Sequence, residues 1–272
     1  MLNEIYHSLD PVAITLGPIA IRWYALAYLA GFVVAGIVIF RVARRWGLGL
    51  SSYDVTNVIV GIAWGIIIGG RLFYVLFYGD GYYLSHPLEV FALSEGGMSF
   101  HGGLVGAVVA GSLVCRACKI SIPTMCDLGA IAAPIGLFFG RCANFVNGEL
   151  WGKPTDLPWG VVFETGGAVA RHPSQLYEAL LEGVVIFCVL FVLSRKKPAR
   201  PQGTFMGTFL VLYGIFRFLI EFVRVPDAQL GYLFGPITMG QLLSLPVLLA
   251  GVAVLVWSGR TRRAQEGHLA SA

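Results

Sequence analysis

The sequence predicts an all-α polytopic membrane protein, with seven transmembrane helices and a small outer head between the fourth and fifth spans. Three observations carry this reading. Apolar residues make up 57% of the 272 positions and charged residues only 12%, against roughly 25% charged in a soluble domain, and the mean hydropathy is +0.75. Seven apolar windows approach the roughly 20 residues that a helix needs to cross a bilayer. The Lys and Arg residues cluster on alternate connections between those windows, the pattern that sets orientation in membranes.

The windows run Ile19–Phe40, Val55–Phe77, Gly97–Val114, Met125–Arg141, Gln175–Leu193, Phe205–Val223 and Pro236–Trp257. Met1–Pro11 holds Glu4 and Asp10 but no basic residue, so it lacks the basic n-region of a cleavable leader, and the first window is read as a retained helix. The fourth window is short, which calls for a tilted or broken helix. Arg41, Arg44 and Arg45 follow the first window, Arg116 and Lys119 the third, Arg195, Lys196, Lys197 and Arg200 the fifth, and Arg260, Arg262 and Arg263 the seventh. Those connections hold twelve of the 19 basic residues, whereas the opposite side has Lys153, Arg171 and Arg224. The positive-inside rule then places the C-terminus in the cytoplasm and, with seven spans, the N-terminus outside. An even number of spans would break the alternation.

The whole chain, 1–272, reads as a single integral membrane domain. Within it 142–174, rich in Gly and Pro with a strand-like piece at Trp159–Glu164, forms the outer head, and 259–272 a basic cytoplasmic tail. Pro173 and Ser174 open the fifth helix as Pro near a first turn and a small polar cap do. The 35 glycines suggest close helix contacts or backbone approaching a ligand. The five cysteines, Cys115, Cys118, Cys126, Cys142 and Cys188, lie in or beside apolar stretches without histidines at zinc-ligand spacing, so they read as small buried hydrophobes. Nothing suggests nucleic acid.

Four arginines, Arg22, Arg71, Arg141 and Arg217, fall within or at the edge of spans, where a central charge costs at least ~2.5–3.5 kcal/mol. Arg22 stands close enough to a helix start to reach headgroups, and Arg71 fits a structural tie to a carboxylate. In the sixth span Tyr213, Arg217 and Glu221 are spaced i, i+4, i+8 on one face, with Arg224 a further turn on. Such a stripe faces the bundle interior or a wet cavity, either as a site or as an ion pair that fixes packing. In the fifth, Gln175, Glu178 and Glu182 make an acidic stripe that can meet it. Tyr24 and Tyr28 are i, i+4 in the first span, and the aromatic belt accounts for Tyr28.

His101 stands in a Gly-rich run, Gly96–Leu104, at the N-terminal end of the third span. There the helix dipole and unpaired N–H groups favour an anion, and an imidazole is available as a base. The densest run is Gly140-Arg141-Cys142-Ala143-Asn144-Phe145-Val146-Asn147-Gly148-Glu149-Leu150-Trp151-Gly152. It gathers a forked cation suited to a phosphodiester, two amides and a carboxylate. From the residues alone this is an outward-opening site for an anionic lipid. A transporter or channel, or a serine hydrolase at Ser99 with His101, are the competing readings.

That run resembles the signature of the prolipoprotein diacylglyceryl transferase family. His101-Gly102-Gly103-Leu104, the stretch Arg171–Glu178 and the Tyr213, Arg217, Glu221 stripe resemble three further blocks in the same order. The resemblance implies a bacterial inner-membrane enzyme with seven spans and no metal or soluble cofactor. Its substrates would be phosphatidylglycerol, drawn from the surrounding membrane lipids, and prolipoprotein signal peptides with a lipobox Cys. It implies His101 as base, with Arg141 and Arg217 on the lipid phosphate. Asn144 would orient the headgroup or the catalytic loop, Glu149 and Glu221 would hold the arginines, Tyr24 and Tyr213 would line the site, and Gly152 would permit a backbone turn.

Overall fold

The computed structural model describes residues 1–17, 19–92, 96–197, 199–226 and 231–268; the last four residues of the expected 259–272 tail lie outside them. The chain forms two compact units, one of Met1–Trp46 with Cys126–Gln265, the other of Gly47–Met125 with the residues from Glu266 onward.

The second unit is built on α3 (Ser52–Tyr78) and α5 (Phe100–Ala117). The short α4 (Tyr82–Ser85) and a 3₁₀ turn, Pro87–Phe91, come between them in sequence. A capping box starts α3: the Ser51 backbone N–H donates to Asp54 and the Asp54 N–H to the Ser51 hydroxyl, at 2.9 and 3.1 Å. Ser99 caps α5 by accepting the Gly102 N–H at 3.3 Å, which satisfies an orphan donor of the first turn. Gly61, Gly65 and Gly69 recur every fourth residue on α3 and meet the Gly102, Gly106, Ala110 and Val114 row on α5. A Cβ on Gly65 would lie against the Gly106 carbonyl and 2.7 Å from the Ala110 Cβ, and one on Gly69 would lie 2.8 Å from the Gly106 Cα. In lipid, where apolar surface gains little by leaving the solvent, backbones this close supply the packing that holds helices together.

Arg71, buried in α3, corrects one expectation. Its guanidinium donates to backbone carbonyls of Glu89, Val90, Gly96 and Gly97 at 2.5–3.1 Å, and no carboxylate is its partner among the described residues. It ties down the connection between α3 and α5, where loop carbonyls have no ladder of their own.

In the first unit α1 (Leu2–His7) precedes the antiparallel hairpin β1 (Val12–Leu16) and β2 (Ile19–Arg22), then α2 (Trp23–Trp46). Next come α6 (Ile122–Val146), whose first turn belongs to the other unit, and the irregular segment 147–173. Then α7 (Ser174–Glu178) passes through a π-helical stretch, Ala179–Val185, into α8 (Ile186–Ser194). The unit closes with α9 (Thr204–Ile220), the hairpin β3 (Tyr232–Phe234) and β4 (Ile237–Thr238), and α10 (Met239–Thr261). Far from being short or broken, α6 runs 25 residues through Pro134 without interruption. The apolar window understated it because polar residues occupy both its ends. The strand-like stretch Trp159–Glu164 reduces to a bridge between Val161 and Arg171 before a 3₁₀ turn at Glu164. Around it Tyr6, Phe145, Val161 and Phe163 form a buried cluster, so α1, which gave no signal in the sequence, docks on this segment. Asn3 holds it there by accepting the Val162 N–H at 2.8 Å.

Among the described residues six helices are long and apolar enough to cross a membrane: α2, α3, α5, α6, α7 continued through α8, and α10. The apolar α9 has 17 residues. Large apolar side chains such as Val33, Ile37, Ile68, Leu72, Leu243 and Leu249 are exposed along them, as a lipid-facing surface requires. At the start of α9, Asp127 of α6 accepts the N–H groups of Gly203 and Met206, both at 2.8 Å, and the Gln265 amide at 2.6 Å. This carboxylate caps the helix from a neighbouring helix.

Gly106→Val should cost about 1–3 kcal/mol through overpacking of the α3–α5 seam, read as a lower thermal midpoint in detergent. Gly259→Ala, where a Cβ meets nothing within 4 Å, should leave the midpoint in place.

Candidate functional site

The strongest electrostatic feature lies in the first unit, where three arginines converge on one carboxylate. Glu178, at the last turn of α7 and fully buried, accepts from the Arg217 guanidinium of α9 and from Arg224 at 3.2 Å, and Arg141 Nε of α6 stands 3.1 Å from its other oxygen. Arg217 also reaches Glu221 at 2.5 Å, and Arg224 lies 4.0 Å from it. Glu182 adds a third carboxylate, its oxygens buried without a hydrogen-bond partner among the described residues and 3.9 Å from Arg141 Nη2.

Local structure explains the convergence. The π-helical stretch that follows Glu178 widens the turn carrying Glu182, and such insertions recur at functional sites because they re-aim side chains within a helix. Gly183 in that stretch lets Phe138 of α6 pack directly on the backbone, with a Cβ there only 2.7 Å from the Phe138 Cβ. On the other side α9 ends at Ile220, so Glu221 and Arg224 occupy the turn beyond it rather than a continuing helix face. Arg224 still reaches the cluster because its backbone bridges to Gly152.

Glu221 is anchored from the far side: the Thr238 hydroxyl donates to it at 2.6 Å while accepting the Gln241 N–H at 3.2 Å as the N-cap of α10. A Cβ on Gly240 would collide with the Glu221 carboxyl group. The start of one helix and the position of a site carboxylate are thus set by the same hydroxyl. Desolvated partners of this kind protect the guanidiniums, since a buried charge left alone costs several kcal/mol. The carboxylates are sealed, but the Arg141 and Arg217 side chains keep 17% and 16% of their surface exposed.

The loop after α6 forms a second layer. Asn144 donates to Glu149 at 2.7 Å and Asn147 to the same oxygen at 3.3 Å. Among the described residues Glu149 therefore pairs with amides, and not with an arginine, which corrects the expectation from the sequence. Leu150 adopts φ +60°, a left-handed conformation costing about 1–2 kcal/mol in a non-glycine residue. Two buried side chains of α7 clamp that strained loop: Gln175 donates to the Glu149 carbonyl at 2.6 Å and Ser174 to the Leu150 carbonyl at 2.9 Å. Gly152 needs no turn conformation. It serves close backbone approach, since a Cβ there would lie 2.6 Å from the His172 Cβ and the Val223 carbonyl. Burial pushes the His172 imidazole below its ordinary pKa, and its Nδ1 lies 3.2 Å from the Tyr177 hydroxyl.

Tyr24 and Tyr28 share a hydrogen bond of 3.0 Å, with Tyr24 close enough to Glu149 and Arg141 to feel their charges. Tyr213 stacks on Phe209 and stands near Glu182, Arg217 and Arg141. The structure therefore gathers Arg141, Arg217, Glu221 and Tyr213 around Glu178, with Tyr24, Asn144 and Glu149 at the Arg141 side. His101 belongs to the other unit, exposed on the first turn of α5. The Ser99 hydroxyl accepts the Gly102 N–H as the cap of that helix. Glu178 and Glu182 were visible as an acidic stripe, but the hub role of Glu178 was not.

A sequence model of the family described as prolipoprotein diacylglyceryl transferase matches residues 11–257. The chain is 54% identical to the phosphatidylglycerol–prolipoprotein diacylglyceryl transferase of Geobacter sulfurreducens, over 94% of this chain and 98% of that one. It is 49% identical to the protein of the same name from Rhodospirillum rubrum, over 94% and 95%. With the Nitratidesulfovibrio vulgaris DP4 protein, again of that name, it shares 51% over 92% and 95%. Coverage this complete, together with the arginine cluster inside an apolar helical chain, leads to one conclusion: the chain belongs to the prolipoprotein diacylglyceryl transferase family.

Proposed function

We propose that this chain is a multi-pass enzyme of the bacterial inner membrane that transfers the diacylglyceryl group of phosphatidylglycerol to the lipobox cysteine of prolipoproteins. The reaction forms a thioether, releases glycerol phosphate and begins lipoprotein maturation. The observation that carries the site assignment is the convergence of Arg141, Arg217 and Arg224 on buried Glu178, with the Arg141 and Arg217 side chains each partly exposed.

In the reaction the thiolate sulfur attacks the glyceryl carbon that bears the phosphate ester. The S–C bond forms, the C–O bond breaks, and its electron pair leaves on the phosphate oxygen. Arg141 and Arg217 bind the phosphodiester through their planar N–H forks and offset the second negative charge that develops on the departing monoester. A free thiol, with a pKa near 8.5, is only a few per cent thiolate at neutral pH, so His101 takes the proton. Asn144 orients the loop that carries Glu149, and Tyr24 and Tyr213 line the lipid headgroup. No metal or soluble cofactor has a role in this scheme.

The topology we propose has seven spans, with α9 as the sixth. Its 17 residues rise about 25 Å at 1.5 Å each, and the turn through Arg224 extends it towards the ~30 Å of a hydrocarbon core. The charge distribution in the sequence then puts the N-terminus and the 142–174 head outside and the tail beyond α10 in the cytoplasm.

Purified protein should release glycerol phosphate from phosphatidylglycerol only when a lipobox peptide is present. Release with the peptide cysteine replaced by alanine would identify a phospholipase instead. Arg141→Lys, which keeps charge and loses the fork, should reduce transferase turnover at least about tenfold; full activity would contradict two-point phosphate binding. His101→Asn should lower turnover about a hundredfold, the scale of a lost general base, and near-normal turnover would remove it from that role.

A further inference from the structure

Glu182 is the ionisable side chain of the arginine cluster for which the proposed reaction has no use. It is fully buried, and neither of its carboxyl oxygens has a hydrogen-bond partner among the described residues. Arg141 Nη2 stands 3.9 Å away, at the outer limit of an ion pair. Glu178, one turn earlier on the same helix, is served very differently. Arg141 Nε lies 3.1 Å from it, Arg224 lies at 3.2 Å, and Arg217 donates to it.

A carboxylate taken out of water without hydrogen bonds gives up its charge by binding a proton. Two carboxyl groups one turn apart in a buried helix also repel when both are ionised, so the one with the better partners keeps the charge. The groups that act on Glu182 are Glu178 on its own helix, Arg141 on α6, Tyr213 and Arg217 on α9, and Arg224 beyond α9. Next to it in sequence, Gly183 packs on the apolar Phe138. All three arginines are already paired with Glu178, and Arg217 with Glu221 as well. Three guanidiniums against two ionised carboxylates leave one positive charge, which a third carboxylate would cancel.

We propose that Glu182 holds a proton in the working site, and that this neutral acid leaves Arg141 a charge to offer the lipid phosphate. The inference rests on the functional reading above, which places a singly charged phosphodiester on Arg141 and Arg217. Glu182 is thus a positioning residue: sealed from the substrate, it acts through Arg141. Once ionised it draws the Arg141 guanidinium into a further buried pair and opposes the phosphate. Lipid affinity therefore falls as rising pH removes the Glu182 proton, while the phosphodiester keeps its single charge throughout.

Infrared spectroscopy and the pH profile of lipid affinity test this together. At about pH 6, protein carrying isotope-labelled glutamate should show a label-shifted carboxylic-acid C=O band that Glu182→Gln lacks. The wild-type KM for phosphatidylglycerol should rise at least about tenfold between about pH 6 and about pH 9, the effect of one charge at short range in a low dielectric. Glu182→Gln should stay flat over that range at the value wild type has at its acid end. Ionisation of the peptide thiol is common to both enzymes and cancels in the comparison. The same band in both proteins overturns the proposal, as do parallel KM profiles. A KM that already falls in Glu182→Gln at the acid end also overturns it, because an anion has then been removed. Glu182→Met repeats the comparison, and loss of folding in both uncharged variants overturns the proposal too, since the fold then depends on the anion. The infrared band is read without turnover, which separates the two ideas. A Glu182 acid in a protein that transfers nothing faults the transferase reading alone, and a transferase without that band faults the Glu182 assignment alone.

Discussion

The buried carboxylate of Glu178 is the interaction on which the rest of the site depends. Three guanidiniums cannot be brought together in an apolar bundle without an anion between them, because their mutual repulsion grows as the dielectric falls. Arg141, Arg217 and Arg224 arrive from α6, α9 and the turn after α9, and all three pair with Glu178. Removing a partner from such a buried set costs about 3–5 kcal/mol, so the carboxylate holds three segments in register as well as three charges. The fold and the chemistry therefore share one constraint.

Around that hub each support reuses a backbone requirement. The Thr238 hydroxyl that caps α10 also holds Glu221. Gln175 and Ser174, in the first turn of α7, clamp the left-handed Leu150 that presents the Asn144 and Glu149 layer. Gly152 and Gly240 are small because backbone or carboxylate occupies the place of a Cβ. Positions like these couple stability to function: a methyl group added to Gly240 displaces Glu221 first and Arg217 through it. The strain at Leu150 persists because the surrounding hydrogen bonds over-determine the loop.

Much of this was legible in the sequence. Apolar windows located every membrane-length helix, since long apolar runs leave few alternatives in a bilayer. The i, i+4, i+8 spacing of Tyr213, Arg217 and Glu221 announced a shared polar face, and the Gly140–Gly152 run marked the Arg141 side. What the sequence hid depended on three-dimensional register. A π-helical stretch at Ala179–Val185 has no composition of its own, so the acidic stripe could not be assigned to a particular arginine. Glu149 looked like a partner for an arginine until the loop geometry turned it towards Asn144 and Asn147. Arg71 looked like half of an ion pair, but carbonyls of an irregular loop are equally good acceptors and were closer. The Leu2–His7 helix is too short and too polar to stand out, and it exists because Tyr6 completes a cluster formed by distant residues.

The formal charges of the cluster also constrain how it can work. Arg141, Arg217 and Arg224 face the paired carboxylates Glu178 and Glu221, with the Glu182 carboxyl group 3.9 Å from Arg141, so much of the positive charge is already offset and the site is no open reservoir for any anion. Selection must then come from donor geometry. A ligand has to engage N–H groups that the carboxylates leave uncovered, and of the three arginines Arg141 and Arg217 keep the more exposed side chains. A phosphodiester meets that condition because its oxygens match a planar fork, whereas a chloride ion or a single carbonyl does not use it fully. The same offset of charge favours turnover. A site that bound a phosphate by net charge alone would hold the doubly charged product more tightly than the singly charged substrate. One whose arginines already share buried carboxylates gives the product less reason to stay.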